Sequence, residues 1–303
     1  MDTNRQIPFD DSDSSGLTNH GRFPFGRENS IRPMRSASGR CRAIVIGVYP
    51  SAWHIQWTAP AFAWTDGRRR AIQSMAVDVE PAVFWDASDE DFAHRLATWM
   101  ESVKFVEGDE VGQHGRISRR SPSTNGTSGR KVILNYLRPL NIEAKDTCFT
   151  DIYPIYQIKF GRSGKREQGD AIRDYYDPIA EVMGRKVCTV RTRLPADKLP
   201  VNAAATFTDR IVSDIVESSA PLIITLGEEV WKTFLLIPQL HVITPVSRFD
   251  ELRSTGYGVP GTITVAGRTL PWLHLVHPGL LGYQTHWQEV HNRWMNSEPR
   301  ISS

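Results

Sequence analysis

The chain has 303 residues, 40% of them hydrophobic, and a formal net charge of +2. That is enough apolar material for one large core or two modest ones, while the charge balance gives no global sign of a nucleic-acid binder. No apolar run approaches the length of a membrane span and the N-terminus is polar rather than signal-like, so a soluble cytoplasmic protein is expected.

Residues 1 to about 40 are rich in Asp, Ser, Gly, Asn and Arg and poor in aliphatics. Such a stretch buries too little apolar surface to offset its ordering entropy, which predicts a mobile arm over 1–40 ahead of one domain over 41–300. From Ala43 to Ser51 a β-branched run closes in Gly47 and Pro50, the pattern of a central strand feeding a loop. Trp53, Trp57, Phe62 and Trp64 read next as an aromatic loop, either a lid over the core or a wall for a flat ring. Ser88-Asp89-Glu90-Asp91 starts a helix over about 88–103, with Phe92, Leu96, Trp99 and Val103 on one face. Residues 108–130 are rich in Gly, Ser, Thr, Asn and Arg, which predicts a flexible basic insertion.

Thr147 to Pro154 reads as a second buried strand with Asp151 near its end. Asn202 can cap a helix carrying Phe207, Ile211 and Ile215, which must stop before Pro221. Leu222 to Gly227 is a third buried strand, followed by a helix over 228–236. Ala266-Gly267-Arg268 turns a hairpin between Thr262–Val265 and Thr269–Val276. Trp287, Val290, His291 and Trp294 mark a last amphipathic helix. Alternating strands and helices predict an α/β fold: a single three-layer helix–sheet–helix sandwich with a mostly parallel central sheet.

Local charge says more than the total. Arg116, Arg119, Arg120, Arg130 and Lys131 fall in one acid-free stretch; Lys159, Arg162, Lys165 and Arg166 form a second cluster, and Arg185, Lys186, Arg191 and Arg193 a third. Any one is ordinarily a solvated loop, but three together favour a basic face that neutralises phosphates. Cys41, Cys148 and Cys188 lie far apart without CxxC spacing, which argues against zinc, an iron–sulfur cluster or a disulfide framework and fits a reducing compartment. No cofactor is implied.

Several strands end in chemically capable groups: Tyr49-Pro50-Ser51, Asp151 and His277-Pro278-Gly279. Parallel strands bring their carboxyl ends to one edge, where ligands of open α/β sheets bind. A strand-end histidine alone is as often a structural hydrogen-bonder, so the convergence carries the argument. The ordered set Gly47-Val48-Tyr49-Pro50, Asp151, Leu226-Gly227 and His277-Pro278-Gly279 resembles the uracil-DNA glycosylase superfamily over about 41–296. The resemblance implies a monomeric glycosylase on double-stranded DNA, with a substrate pocket including Gly47, Tyr49, Pro50, Ser51, Trp53 and Asp151. It also implies His277 as the donor to the departing base and Leu280 or Leu281 as the wedge that fills the vacated stack. The basic clusters, Arg119, Arg120, Lys165 and Arg166 among them, would then meet the DNA backbone.

Two positions depart from the family pattern. Tyr49 stands where the family has a water-activating acid or Asn; losing a general base costs about 10²–10⁴-fold in rate, and Asp66, Asp86 and Asp151 are alternative activators. Asp151 stands where the family reads uracil with Asn. An ionised carboxylate only accepts hydrogen bonds, which suits the N4 amino group of cytosine and opposes uracil O4, a discrimination of roughly 1–3 kcal/mol. Excising plain cytosine would destroy the host genome, so a 5-substituted cytosine of phage DNA, hydroxymethylated or glucosylated, is the expected substrate. Rival readings are a uracil or damaged-base repair enzyme, a catalytically silent DNA-binding relative, and an unrelated α/β hydrolase. The last lacks a Gly-x-Ser-x-Gly elbow and a Walker loop.

Overall fold

Runs with little polar alternation form the parallel strands, β-branched in Ala43–Gly47 and Ile223–Leu226, because a strand buried on both faces needs no such alternation. A computed structural model describes residues 20–31, 34–35, 39–63, 71–88, 92–118, 125–161, 165–297 and 299. In chain order the strands are β1 (Ala43–Gly47), β2 (Ala52–Thr58), β3 (Ala71–Val79), β4 (Arg116–Ser118), β5 (Thr147–Asp151), β6 (Ile223–Leu226), β7 (His241–Ile243), β8 (Gly261–Val265) and β9 (Arg268–Leu275). The helices are α1 (Phe92–Val103), α2 (Thr127–Val132), α3 (Gln168–Ala171), α4 (Asp177–Val182), α5 (Lys198–Ser218), α6 (Glu228–Leu236) and α7 (Thr285–Asn296).

One six-stranded sheet has the order β5-β1-β6-β9-β8-β7. The β5-β1-β6-β9 part is parallel, while β8 and β7 continue it antiparallel, so the α/β class holds and the sheet is mixed. Every residue of β1, β5 and β6 is buried, so this part of the sheet is covered on two sides. The β8–β9 turn forms as its sequence requires: Ala266 and Gly267 both have positive φ, 49° and 75°, as a two-residue hairpin turn demands. β5 and β6 flank β1, and their connections run in opposite directions from it. That makes the carboxyl edge of β1 and β6 the topological switch point.

Several expectations fail. The aromatic stretch from Trp53 is not a loop over the core but β2, the centre of a second, antiparallel sheet ordered β3-β2-β4. Trp53, Ile55 and Trp57 alternate inward, all at 0–1% exposure, the period of a half-buried strand; Trp64 lies outside the described residues. The arm does not extend to residue 40. Phe23 and Phe25 are buried in the second core, where the Phe25 ring meets Trp57, Trp99, Phe105 and Tyr176 edge-on. The 108–130 insertion is partly built into the same sheet, through β4 and the Gly108–Gly115 bridge. The described residues therefore form two hydrophobic clusters, one on each sheet.

α5 begins at Lys198 rather than Asn202; Pro200 falls in its first turn, where the missing N–H forfeits no helical bond. Cys41 and Cys148 are joined in a disulfide, with Cα atoms 6.1 Å apart. This overturns the expectation of unpaired cysteines and removes the ground on which a reducing compartment was expected. Parallel pairing of β1 with β5 brings the two positions together. No helix among the described residues is long and apolar enough to cross a membrane.

Candidate active site

The carboxyl ends of β1, β5, β6 and β9 open onto one cleft of about 470 Å³, within the usual range of small-molecule sites. Tyr49, Pro50 and Ser51 line it after β1, Asp151 at the end of β5, Glu229 after β6, and His277, Gly279 and Leu280 after β9. A larger hollow of about 910 Å³, walled by residues between His20 and Ile31 and between Lys186 and Thr189, contains none of these groups.

Two glycines make the close approach possible. A side chain at Gly47 would meet the Asp151 carboxylate at 2.5 Å and the Phe84 ring at 2.7 Å, so the missing Cβ lets that carboxylate lie over the end of β1. At Gly227, φ is +97° and a Cβ would stand 3.1 Å from that of His277. Its N–H donates to Leu275 O at 2.8 Å, which ties the end of β6 to β9. Phe84 forms part of the cleft wall with a strained left-handed backbone, φ 48°.

His277 is half-buried, its ring walled by protein but open to the cleft. Gly279 N–H donates to Nδ1 at 3.0 Å, which places the proton of the neutral ring on Nε2. Burial first, then the charges of Lys159, Arg193 and Lys131, push its pKa down to about 4. At neutral pH the ring therefore offers an uncharged N–H donor inside a positive field. Each of the three basic clusters contributes one of these cations. Lys131 Nζ also donates to Pro278 O at 3.3 Å and Leu281 O at 3.4 Å, which fastens the loop. Lys159 and Arg193 lie 6.0 and 5.6 Å from the centre of the Tyr49 ring, and Arg193 pairs with Glu229 at 2.8 Å.

Behind the strand exit lies a closed network. Tyr136 Oη donates to Val276 O at 2.7 Å and Val276 N–H donates to Tyr257 Oη at 3.2 Å. The Tyr257 hydroxyl donates onward to His291 Nδ1 at 2.7 Å, and His291 Nε2–H donates to Asn135 O at 3.0 Å. His291 is fully buried, and burial drives its pKa down to about 4.

Other expected site residues are placed elsewhere. Trp53 is in the second core and does not reach the cleft; its strand neighbour His54 does, because side chains alternate across β2. Leu281 is 4% exposed in the main core, which rules it out as a projecting wedge, while Leu280 is half-buried in the cleft wall. Arg166 pairs with Asp174 at 2.6 Å and Lys165 with Glu167 at 3.4 Å, so acids partly neutralise both. Arg119, Arg120 and Asp66 lie outside the described residues. Asp86 accepts from Ser88 N–H and Oγ in a local turn and does not line the cleft. Glu167 and Glu229 join Asp151 as its carboxylates, and neither had a signal in the sequence beyond charge. Among the described residues no three His, Cys, Asp or Glu side chains gather to hold a metal ion.

No protein-family model matches the chain, and no curated protein matches it.

Proposed function

We propose that the chain is a monofunctional DNA glycosylase whose substrate is a 5-substituted cytosine of phage DNA, with antiviral defence as the outcome. The observation that carries this reading is the neutral His277, its Nδ1 held by Gly279 N–H, lining the same cleft as the Asp151 carboxylate. In the reaction the C1′–N1 bond breaks and its electron pair goes to the base. The His277 N–H, donating to the base oxygen O2, and the surrounding cations stabilise that anion. Water adds to C1′ and yields its proton to a cleft carboxylate or to solvent, and the base takes up a proton as it leaves. Asp151 accepts from the N4 amino group of the base. Polar groups around the cleft, Ser51, His54, Ser128 and Gln157, give a 5-hydroxymethyl or sugar substituent hydrogen-bonding partners. The partner is double-stranded DNA bound by the monomer.

The test treats DNA carrying glucosylated hydroxymethylcytosine, plain cytosine or uracil with the protein and then with an abasic-site endonuclease. Strand breaks confined to the modified DNA are expected. Asp151→Asn should shift preference toward uracil by roughly 10- to 100-fold, one base contact's worth. Breaks only in uracil DNA by the wild type would leave a repair glycosylase. Binding without breaks would leave the silent relative, a reading that Tyr49, near two cations and standing where the family has its activator, favours.

A further inference from the structure

The loop from His277 to Gln284 is rigid at its base and apolar at its tip. Leu280 N–H donates to His277 O at 2.9 Å, and the N–H groups of Tyr283 and Gln284 both donate to Leu280 O at 3.2 Å. Lys131 clamps two more of its carbonyls, and Leu281 anchors it in the main core. Gly282 then turns the chain at φ +92°, a left-handed conformation that L side chains rarely adopt, with open space where its Cβ would be. The residue delivered by this turn is Tyr283, 84% exposed and among the most exposed large hydrophobic side chains described. Its backbone is bonded to Leu280, which lines the cleft.

A base drawn into the cleft leaves an unstacked gap in the duplex, and proteins that extrude bases or kink DNA fill such gaps with a projecting apolar or aromatic side chain. Neither leucine of the loop projects. We infer that Tyr283 is the side chain that enters the duplex and stacks in the gap. The inference rests on the glycosylase reading, but its test separates the two.

The experiment measures excision from the same modified-cytosine sequence as duplex and as single strand, for wild type, Tyr283→Ala and Tyr283→Trp. A single strand has no paired stack to hold open, so the duplex-to-single-strand ratio isolates the wedge. The ratio should fall roughly tenfold or more in Tyr283→Ala, the scale of one lost base–aromatic stack, and recover to within about threefold of wild type in Tyr283→Trp. A Tyr283→Ala ratio equal to wild type overturns the wedge while leaving the glycosylase. So does a wild type that excises only from single strands. A wild type that excises from neither form removes the glycosylase reading, and the wedge with it.

Discussion

Two histidines flank the exit of β9 and share one electrostatic outcome. Burial drives both His277 and His291 down to about 4, so both are neutral at physiological pH. They differ in what engages each ring. In His291 both nitrogens are engaged, Nδ1 by the Tyr257 hydroxyl and Nε2 by Asn135 O. In His277 the hydrogen bond is to Nδ1, from Gly279 N–H, and the residue lines a cleft. A depressed pKa therefore does not separate the two rings; a place in the cleft wall does. The two are also coupled, because His291 orients the Tyr257 hydroxyl that receives Val276 N–H, one residue before His277.

The sharpest way to break this comparison is to remove each ring. On the proposed glycosylase reading, His277→Ala should reduce excision by about 10²–10³-fold, the usual loss of one preorganised donor at a developing anion. DNA affinity should stay within a few-fold of wild type, and stability should change by no more than about 1 kcal/mol. His291→Leu should do the reverse. It leaves Asn135 O and the Tyr257 hydroxyl without their partner beside a fully buried side chain, which costs about 3 kcal/mol in urea unfolding. Equal losses of stability from the two variants would make His277 another structural histidine.

Acid separates the rings more finely. The folded pKa of His291 is depressed, so the unfolded chain binds the extra proton as pH falls below about 6.5. The stabilisation from burying the neutral ring is complete above that value and is lost as pH falls toward about 4. While it is being lost, stability should drop by about 1.4 kcal/mol per pH unit for this ring. His114, His274 and His277 itself, depressed to about 4, about 3 and about 4, should add slopes of the same sign. Urea midpoints between pH 7 and 5 measure the total, and His291→Leu should remove its share. Excision should follow His277 instead, staying flat until the ring protonates near pH 4 and its donor becomes cationic. An activity midpoint near pH 6.5 would mean that the ring is freely hydrated.

The parallel strands were legible because buried runs ending in Gly or Pro have few other solutions, and the site was legible to the extent that it sits on their ends. Tyr49, Asp151 and His277 are far apart in sequence, yet parallel topology brings them to one cleft. The second sheet was hidden by its own aromatics. The alternation of Trp53, Ile55 and Trp57 was present, but a dense set of tryptophans after a strand also describes a pocket wall. Phe23 and Phe25 were outweighed by the polar residues around them. For the cations, the sequence showed three clusters but not which member of each would turn inward. That choice belongs to tertiary packing, as do the burial of Leu281 beside the half-buried Leu280 and the pairing of Cys41 with Cys148.

The smallest change tests whether the closed region serves the open one. Tyr257→Phe deletes a single oxygen from a ring that otherwise stays packed against Trp287, His291 and Trp294. Val276 N–H and His291 Nδ1 both lose a partner, so about 1–2 kcal/mol of stability should go. Tyr136 still holds Val276 O at 2.7 Å, so the strand exit keeps one of its two ties. If the network only stabilises, kcat of the folded enzyme should be unchanged. If it sets the height of His277 in the cleft, kcat should fall several-fold with KM nearly constant, because the His277 donor acts on charge that develops only in the transition state. Position matters at this scale because an oxyanion donor works over a few tenths of an ångström. The geometry favours the second outcome: Val276 is outside the ladder of β9, and its N–H and C=O are both taken by tyrosine hydroxyls immediately before the residue that lines the cleft.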